Sequence, residues 1–274
     1  MAEPDKKSTD TTVKHAGKDI DAFLKHVAPL DVILFQGISP FSDLIRNGSE
    51  LIKGNGDFSH CGLVVTKQIC QDIKVEDESQ LLLMEITVSI GEKVKDIETG
   101  RFTLGSQVRD LRAVLEETSA EGIGSAVCKL RNNPWVQYTE SKNLAQLEQI
   151  NKILCDVYQT YIRDNKSIYD PNLFSLLGTI FPSLRGIRDR VDDMFSFVRS
   201  HHPWLFCSEL ICIVYRNLGL LNQNVDVQSY VPVDFVTPGN DNALYSIMHL
   251  PPIFFVQIPS PDERSARRFF CCCV

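Results

Sequence analysis

The sequence predicts an α+β fold: a mostly antiparallel sheet with helices packed around it. Three observations predict it. Apolar runs of strand length recur in the first ninety residues: DVILFQ (31–36), CGLVVTK (61–67) and LLLMEITVS (81–89). Residues 143–162 carry apolar side chains at helical spacing. A second helical pattern, PWLFCSELICIVYRNLGLL, fills 203–221.

Taken in order, residues 1–18 are polar and charged and are expected to form a disordered tail. DVILFQ reads as a short buried strand and CGLVVTK as a second. LLLMEITVS is too apolar to leave one face wet, so it is expected to lie centrally. QVRDLRAVL (107–115) alternates and suits a fourth strand. In 143–162, Leu144, Leu147, Ile150, Ile153, Leu154, Val157, Tyr158 and Tyr161 mark one helix. Residues 172–199 form a looser amphipathic region interrupted by Pro182. In the segment from 203, Leu210, Ile211, Val214, Tyr215 and Leu218 make one apolar face, and Gly219 is the expected stop. SYVPVDFV, ALYSIMHL and IFFVQI then read as short strands or extended segments. One domain, 19–259, is expected between the tail 1–18 and a flexible tail 260–274. No apolar stretch reaches membrane-spanning length, and no internal repeat is present.

The 274 residues are ample for a buried core. With 43 % apolar and 23 % charged residues the profile is that of a globular protein. A net charge of −7 argues against a nucleic-acid partner. Nine cysteines, with no CxxC pair, give no metal-ligand spacing, and no cofactor is expected. Their odd number, with no apolar signal segment, points to free thiols in a reducing compartment. The glycosylation-like triplets at Asn47 and Asn165 read as chance matches in that setting.

One cysteine stands apart. Cys207 falls in the first turn of its helix, where unpaired amides and the helix dipole favour a thiolate and can hold an oxyanion. Cys212, about 140° further round the helix, reads as core. A thiolate nucleophile needs a base. Of six histidines, His60 is placed for it: it follows GNGDFS and opens the strand 61–67, a common way to fix a side chain at a sheet edge. Alternation sends Cys61 to the other face, so it is a poor partner for His60. Glu85 stands among apolar neighbours in LLLMEITV, and a buried carboxylate needs a partner. Orienting a histidine through its second ring nitrogen would supply one. Asp31 is a weaker candidate and reads as a turn residue. For each residue a plain structural role is the competing reading: a core thiol, a locally bonded histidine, a glutamate meeting an arginine.

The order of these motifs resembles the circularly permuted papain-like hydrolases of the NlpC type. Asp31-Val-Ile-Leu-Phe, Ser59-His60-Cys-Gly-Leu-Val, Met84-Glu85 and Phe206-Cys207-Ser-Glu-Leu-Ile follow one another as in that group. Segments Ser167-Ile-Tyr-Asp-Pro and Val231-Pro-Val-Asp-Phe also resemble family positions, and coverage runs over about 27–258. The sequence departs from the pattern in reading Leu-Asp where Gly-Asp is usual, and in its long, apolar 116–206. The resemblance implies a permuted papain-like fold with a helical insert before the nucleophile helix. It implies a thiol hydrolase or acyltransferase: Cys207 the nucleophile, His60 the base, Glu85 its orienter, and a thioester intermediate. The substrate class implied is a peptide-like amide or a lipid acyl group. Two other classes stay open: a catalytically inactive papain-like binding module, and a membrane-surface scaffold docking through 172–199.

The chain ends SARRFFCCCV. Cys271, Cys272 and Cys273 have too little chain after them to be covered as core, and adjacent cysteines bridge poorly. They have the spacing of a C-a-a-X prenylation box and resemble dually prenylated or palmitoylated tails. Arg264, Arg267 and Arg268 suit anionic lipid, and Phe269 and Phe270 suit the interface. The expectation is an enzyme body tethered to the cytosolic face of a membrane.

Overall fold

The structure, a computed structural model, describes residues 14–15, 19–37, 57–69, 73, 75, 77, 79–87, 94–102, 105–164, 168–169, 204–238 and 242–255. These residues form an α+β fold. The strands are β1 (Lys14–His15), β2 (Val32–Gln36), β3 (His60–Thr66), β4 (Leu81–Thr87), β5 (Gly105–Asp110), β6 (Gly124–Leu130), β7 (Ile168–Tyr169), β8 (Trp204–Leu205) and β9 (Met248–Phe254). The α-helices are α1 (Ile20–Leu24), α2 (Leu111–Ala120), α3 (Pro134–Glu140), α4 (Leu144–Tyr158), α5 (Cys207–Asn217) and α6 (Ala243–Ile247). Seven strands make an open sheet in the order β1-β9-β6-β2-β3-β4-β5. Every pairing in it is antiparallel except β1 with β9. The short β7 and β8 pair separately, in parallel.

Apolar side chains leave both faces of this sheet, so helices cover both. On one face Val32, Leu34, Cys61, Leu63, Val65, Leu82 and Met84 join the buried side of α4 and α5. On the other Ile33, Phe35, Val64, Leu83 and Val127 meet Phe23 of α1 and Leu111, Val114 and Leu115 of α2. DVILFQ supplies the middle strand, buried throughout. LLLMEIT is also buried on both faces but lies one strand in from the edge, not at the centre.

Asp31 holds the start of β2. It is fully buried, and its carboxylate accepts the N–H groups of Ala28 (2.9 Å) and Leu130 (2.9 Å) and the Asn133 side-chain amide (3.2 Å). Burial outweighs these bonds and raises its pKa to about 6. The turn reading of Asp31 therefore stands, in a buried form that ties β2, β6 and the start of α3 together.

Three expectations change. The strand proposed for 107–115 stops at Asp110, whose side chain accepts the Ala113 N–H and caps α2. Leu111, Val114 and Leu115 are a helix face that the alternation concealed. SYVPVDFV is not extended: Asp234 Oδ2 accepts the Val231 N–H at 2.8 Å and folds Pro232–Phe235 into a 3₁₀ turn. In ALYSIMHL, Asn242 caps Ala243–Ile247 as helix, and the strand begins only at Met248. The helix over 143–162 is found as α4, continued by a π-turn over Gln159–Asp164. Gly219 ends the segment after α5 with φ 73°, a left-handed value that suits glycine. Among the described residues no helix is long and apolar enough to cross a membrane. The region 172–199 and the tail 260–274 lie outside the described residues, as does most of 1–18.

Candidate active site

Three sequence-predicted residues meet where β3 begins. His60 is the first residue of β3, opposite Phe35 of β2, and its ring stacks on that phenyl with centroids 5.7 Å apart. Glu85 lies on β4, fully buried, and its Oε2 is 2.5 Å from His60 Nε2. Gly62 keeps this corner open. A Cβ there would sit 2.6 Å from Leu83 Cδ1 and 3.3 Å from Glu85 Cβ, so a larger residue would push against the strand that carries Glu85.

Cys207 is the first residue of α5, and Phe206 is its N-cap. The helix start is fixed from two sides. Glu209 Oε2 accepts the Phe206 N–H at 3.3 Å, and Ser208 Oγ donates to the Tyr230 carbonyl at 2.7 Å. The amides of Cys207 and Ser208 fall in the first turn, where helix geometry offers them no acceptor. α5 packs on the face of the sheet that carries Cys61 and Leu63. The Cys207 side chain stands beside both His60 and Cys61, close enough to interact with each. With Nε2 of His60 taken by Glu85, Nδ1 is left for the sulfur.

The electrostatics follow from these contacts. The neighbouring Cys61 thiol draws the Cys207 pKa down; burial opposes this, but nearby His60 with its charge and the Cys61 backbone N–H add to the lowering. Cys207 is thus held well below the usual thiol range. Burial alone would lower the pKa of His60, yet its bonds to Cys207 and Glu85 raise it to about 10. Its side chain keeps 22 % of its surface exposed, and solvent there tempers the shift. Burial would raise Glu85, but Arg109 and His60 hold it below the usual carboxylate range. Both directions favour an imidazolium beside a thiolate. The other buried cysteines go the opposite way: burial raises Cys61, Cys128 and Cys212.

Two neighbours escaped the sequence reading. Arg109 of β5 reaches Glu85 Oε1 with Nε at 2.6 Å and Nη2 at 2.5 Å. Cys61 leaves β3 on the face opposite Phe35, as alternation requires, and on that face it meets Cys207. Gln36 is a third group of interest. It ends β2 on the face of Leu34 and Cys61, is buried, and its side-chain Nε2 has no partner among the described residues. Asp31 lies at the far end of β2 from His60's partner Phe35, roughly 13 Å along the strand, and takes no part. Val231, Val233 and Phe235 lie in the same buried core as α5, and of 167–171 only Ile168–Tyr169 is described. Cys70, Cys271, Cys272 and Cys273 lie outside the described residues. Among the described residues no group of three or more His, Cys, Asp or Glu side chains is arranged to hold a metal ion. No protein-family model matches the chain, and no curated protein or solved structure matches it.

Proposed function

We propose that the chain is a cysteine-dependent hydrolase or acyltransferase of the permuted papain-like type, acting on an amide or ester. The observation that carries this reading is the joined set Cys207–His60–Glu85, with the sulfur at a helix N-terminus. The Cys207 thiolate attacks the carbonyl carbon, and the carbonyl π pair moves to oxygen. That oxyanion takes the Cys207 backbone N–H and the spare amide of Gln36. On collapse, His60 gives its proton to the departing amine or alcohol and a thioester remains. Water or an acceptor hydroxyl or amine, deprotonated by His60, then opens the thioester. Glu85 keeps the imidazole oriented throughout.

The substrate is a peptide-like amide or a lipid acyl group. Lipidation at Cys271, Cys272 or Cys273 would hold the body at the cytosolic face of a membrane, which favours the lipid acyl group. One chain anchors reversibly; two adjacent modified cysteines anchor stably. Intact mass of protein from its native cell tests the tail, paired with fractionation of a variant carrying Ser at all three positions. An unmodified mass, or a variant that stays on membranes as before, rejects lipid anchoring.

Acyl transfer is tested by incubating the full chain with nitrophenyl esters of short and long acyl chains and with peptide nitroanilides. A hydroxylamine-labile acyl mass on Cys207, lost in Cys207→Ser and slowed at least 100-fold in His60→Ala, is expected. Equal turnover by wild type and Cys207→Ser rejects the reading. A second reading, a closed binding module, is favoured by the 3 % exposure of Cys207. A Cys207 that no small electrophile reaches in the folded chain would support it instead.

A further inference from the structure

Arg109 lies on β5, the edge strand, where an arginine is free to turn toward water. It turns inward instead. Its side chain is 6 % exposed and spends two nitrogens on one oxygen of Glu85, while His60 holds the other oxygen. The register explains the reach. Glu85 pairs with Gln107 and Leu83 with Arg109, so Arg109 approaches Glu85 along the strand diagonal, on the same face. Burying a guanidinium costs several kcal/mol, roughly, unless a partner offsets it, so this placement is informative.

Four groups then stand in contact with alternating charge: Arg109 positive, Glu85 negative, His60 positive, Cys207 negative. Their sum is zero. Without Arg109 the remaining three carry one net negative charge in a buried place. The least costly relief is uptake of a proton, by Glu85 or by Cys207, and either ends the oriented thiolate–imidazolium pair. Among the described residues the other titratable groups around the set do not take over. Cys61 faces Cys207 as a neutral thiol on β3. Glu209 on α5 and Asp234 in the following turn are acids, bonded to the N–H groups of Phe206 and Val231. Arg216 is at the far end of α5.

We propose that Arg109 is a positioning residue of the candidate site: it holds Glu85 ionised and aimed at His60, and so sets the lower end of the pH range in which Cys207 reacts. This rests on the Cys207–His60–Glu85 reading.

The test uses the full chain and needs no substrate. Carbamidomethylation of Cys207 by iodoacetamide is followed by peptide mass spectrometry from pH 4 to 9 in wild type, Arg109→Met, Arg109→Gln and Arg109→Lys. Circular dichroism verifies folding of each. In the two neutral variants the acid limb should move up by at least about one pH unit, a tenfold loss of rate on that limb, with the plateau near pH 8.5 changed less than threefold. Arg109→Lys should stay within half a unit of wild type. A folded neutral variant with an unmoved limb overturns the proposal. Failure of both neutral variants to fold also overturns it, because Arg109 would then serve the fold. If wild-type Cys207 alkylates with the pH dependence of an ordinary thiol, the thiolate reading itself fails before any variant is compared.

Discussion

Cys61 stands beside Cys207, and the two thiols are driven in opposite directions: the pKa of Cys207 is lowered and that of Cys61 raised, as when Cys61 keeps its proton and offers it to the Cys207 sulfur. A hydrogen bond to an ionised acceptor contributes about 1.5–3 kcal/mol. Cys61→Ala should therefore raise the Cys207 pKa by roughly one to two units. Cys61→Ser keeps an O–H donor and should restore most of the difference. The readout is the pH at half-maximal alkylation of Cys207. Identical midpoints in wild type and Cys61→Ala would remove Cys61 from the site.

The pH range of reactivity follows from the pair. The lower limb is set by Cys207, held well below the usual thiol range, and the upper limb by His60, raised to about 10. At pH 6.5 iodoacetamide should modify Cys207 ahead of Cys61, Cys128 and Cys212, which burial keeps protonated. His60→Ala should abolish this preference. The sign for stability is fixed too. The raised His60 pKa and the lowered Cys207 pKa act in opposite senses, so the net stability of the pair fades on the alkaline side only as His60 loses its proton toward about pH 10. Alkaline unfolding should show that loss in wild type and lack it in His60→Ala.

Gln36 gives a prediction that separates binding of the oxyanion from activation of the thiol. Gln36→Ala removes a buried amide donor whose Nε2 has no partner among the described residues. Acylation from an activated ester should fall about 10²–10³-fold, the usual effect of losing one oxyanion donor. Iodoacetamide labelling, which forms no oxyanion, should be unchanged. A parallel loss in both assays would place Gln36 in packing rather than in the reaction.

Asp31 supplies a control far from the chemistry. Its folded pKa of about 6 lies above the ordinary value of 3.8, so the ionised form is penalised in the folded state. Stability should rise as pH falls from 6.5 to 5, by about 1 kcal/mol from this group alone. Urea titrations at the two pH values measure it, and Asp31→Asn should lose the difference. A gain of the same size in Asp31→Asn would assign it to another group.

Physical signals decide which parts of this arrangement are legible in the sequence. Cys207, His60 and Glu85 stand out because each is a reactive type in a place that calls for explanation: a helix start, a strand start after glycines, an apolar strand. Arg109 gives no such signal, since in GSQVRD it reads as the wet side of an alternating strand. Cys61 looks like an ordinary core thiol, and only packing of α5 on β3 brings it to Cys207. The strand β6 is built from small residues, GSAVCKL, and its burial depends on neighbours distant in the chain. Its pairing with β2 and β9 is a tertiary property that no local pattern carries. The strand–helix boundary at Asp110 was hidden because Val108 fits the alternation while Leu111, Val114 and Leu115 fit a helix.

Glu85→Gln is the variant in which the two halves of the site conflict. From the sequence alone the change is expected to spare the fold and slow the reaction. Arg109 alters that expectation. The neutral amide takes the Glu85 carboxylate away from a buried guanidinium that is 6 % exposed. Removing one partner of a buried ion pair costs about 3–5 kcal/mol. The variant should therefore lose stability by that order as well as activity. Glu85→Gln combined with Arg109→Gln removes both charges and should recover at least half of the lost stability, because the guanidinium is removed together with the carboxylate it faces. It should not recover the Cys207 reactivity, because His60 still lacks its carboxylate. Urea denaturation and pH-dependent alkylation of the single and double variants read the two effects separately. A Glu85→Gln variant as stable as wild type would show that the Arg109 charge is satisfied from elsewhere. A double variant with wild-type reactivity would remove Glu85 from the catalytic set.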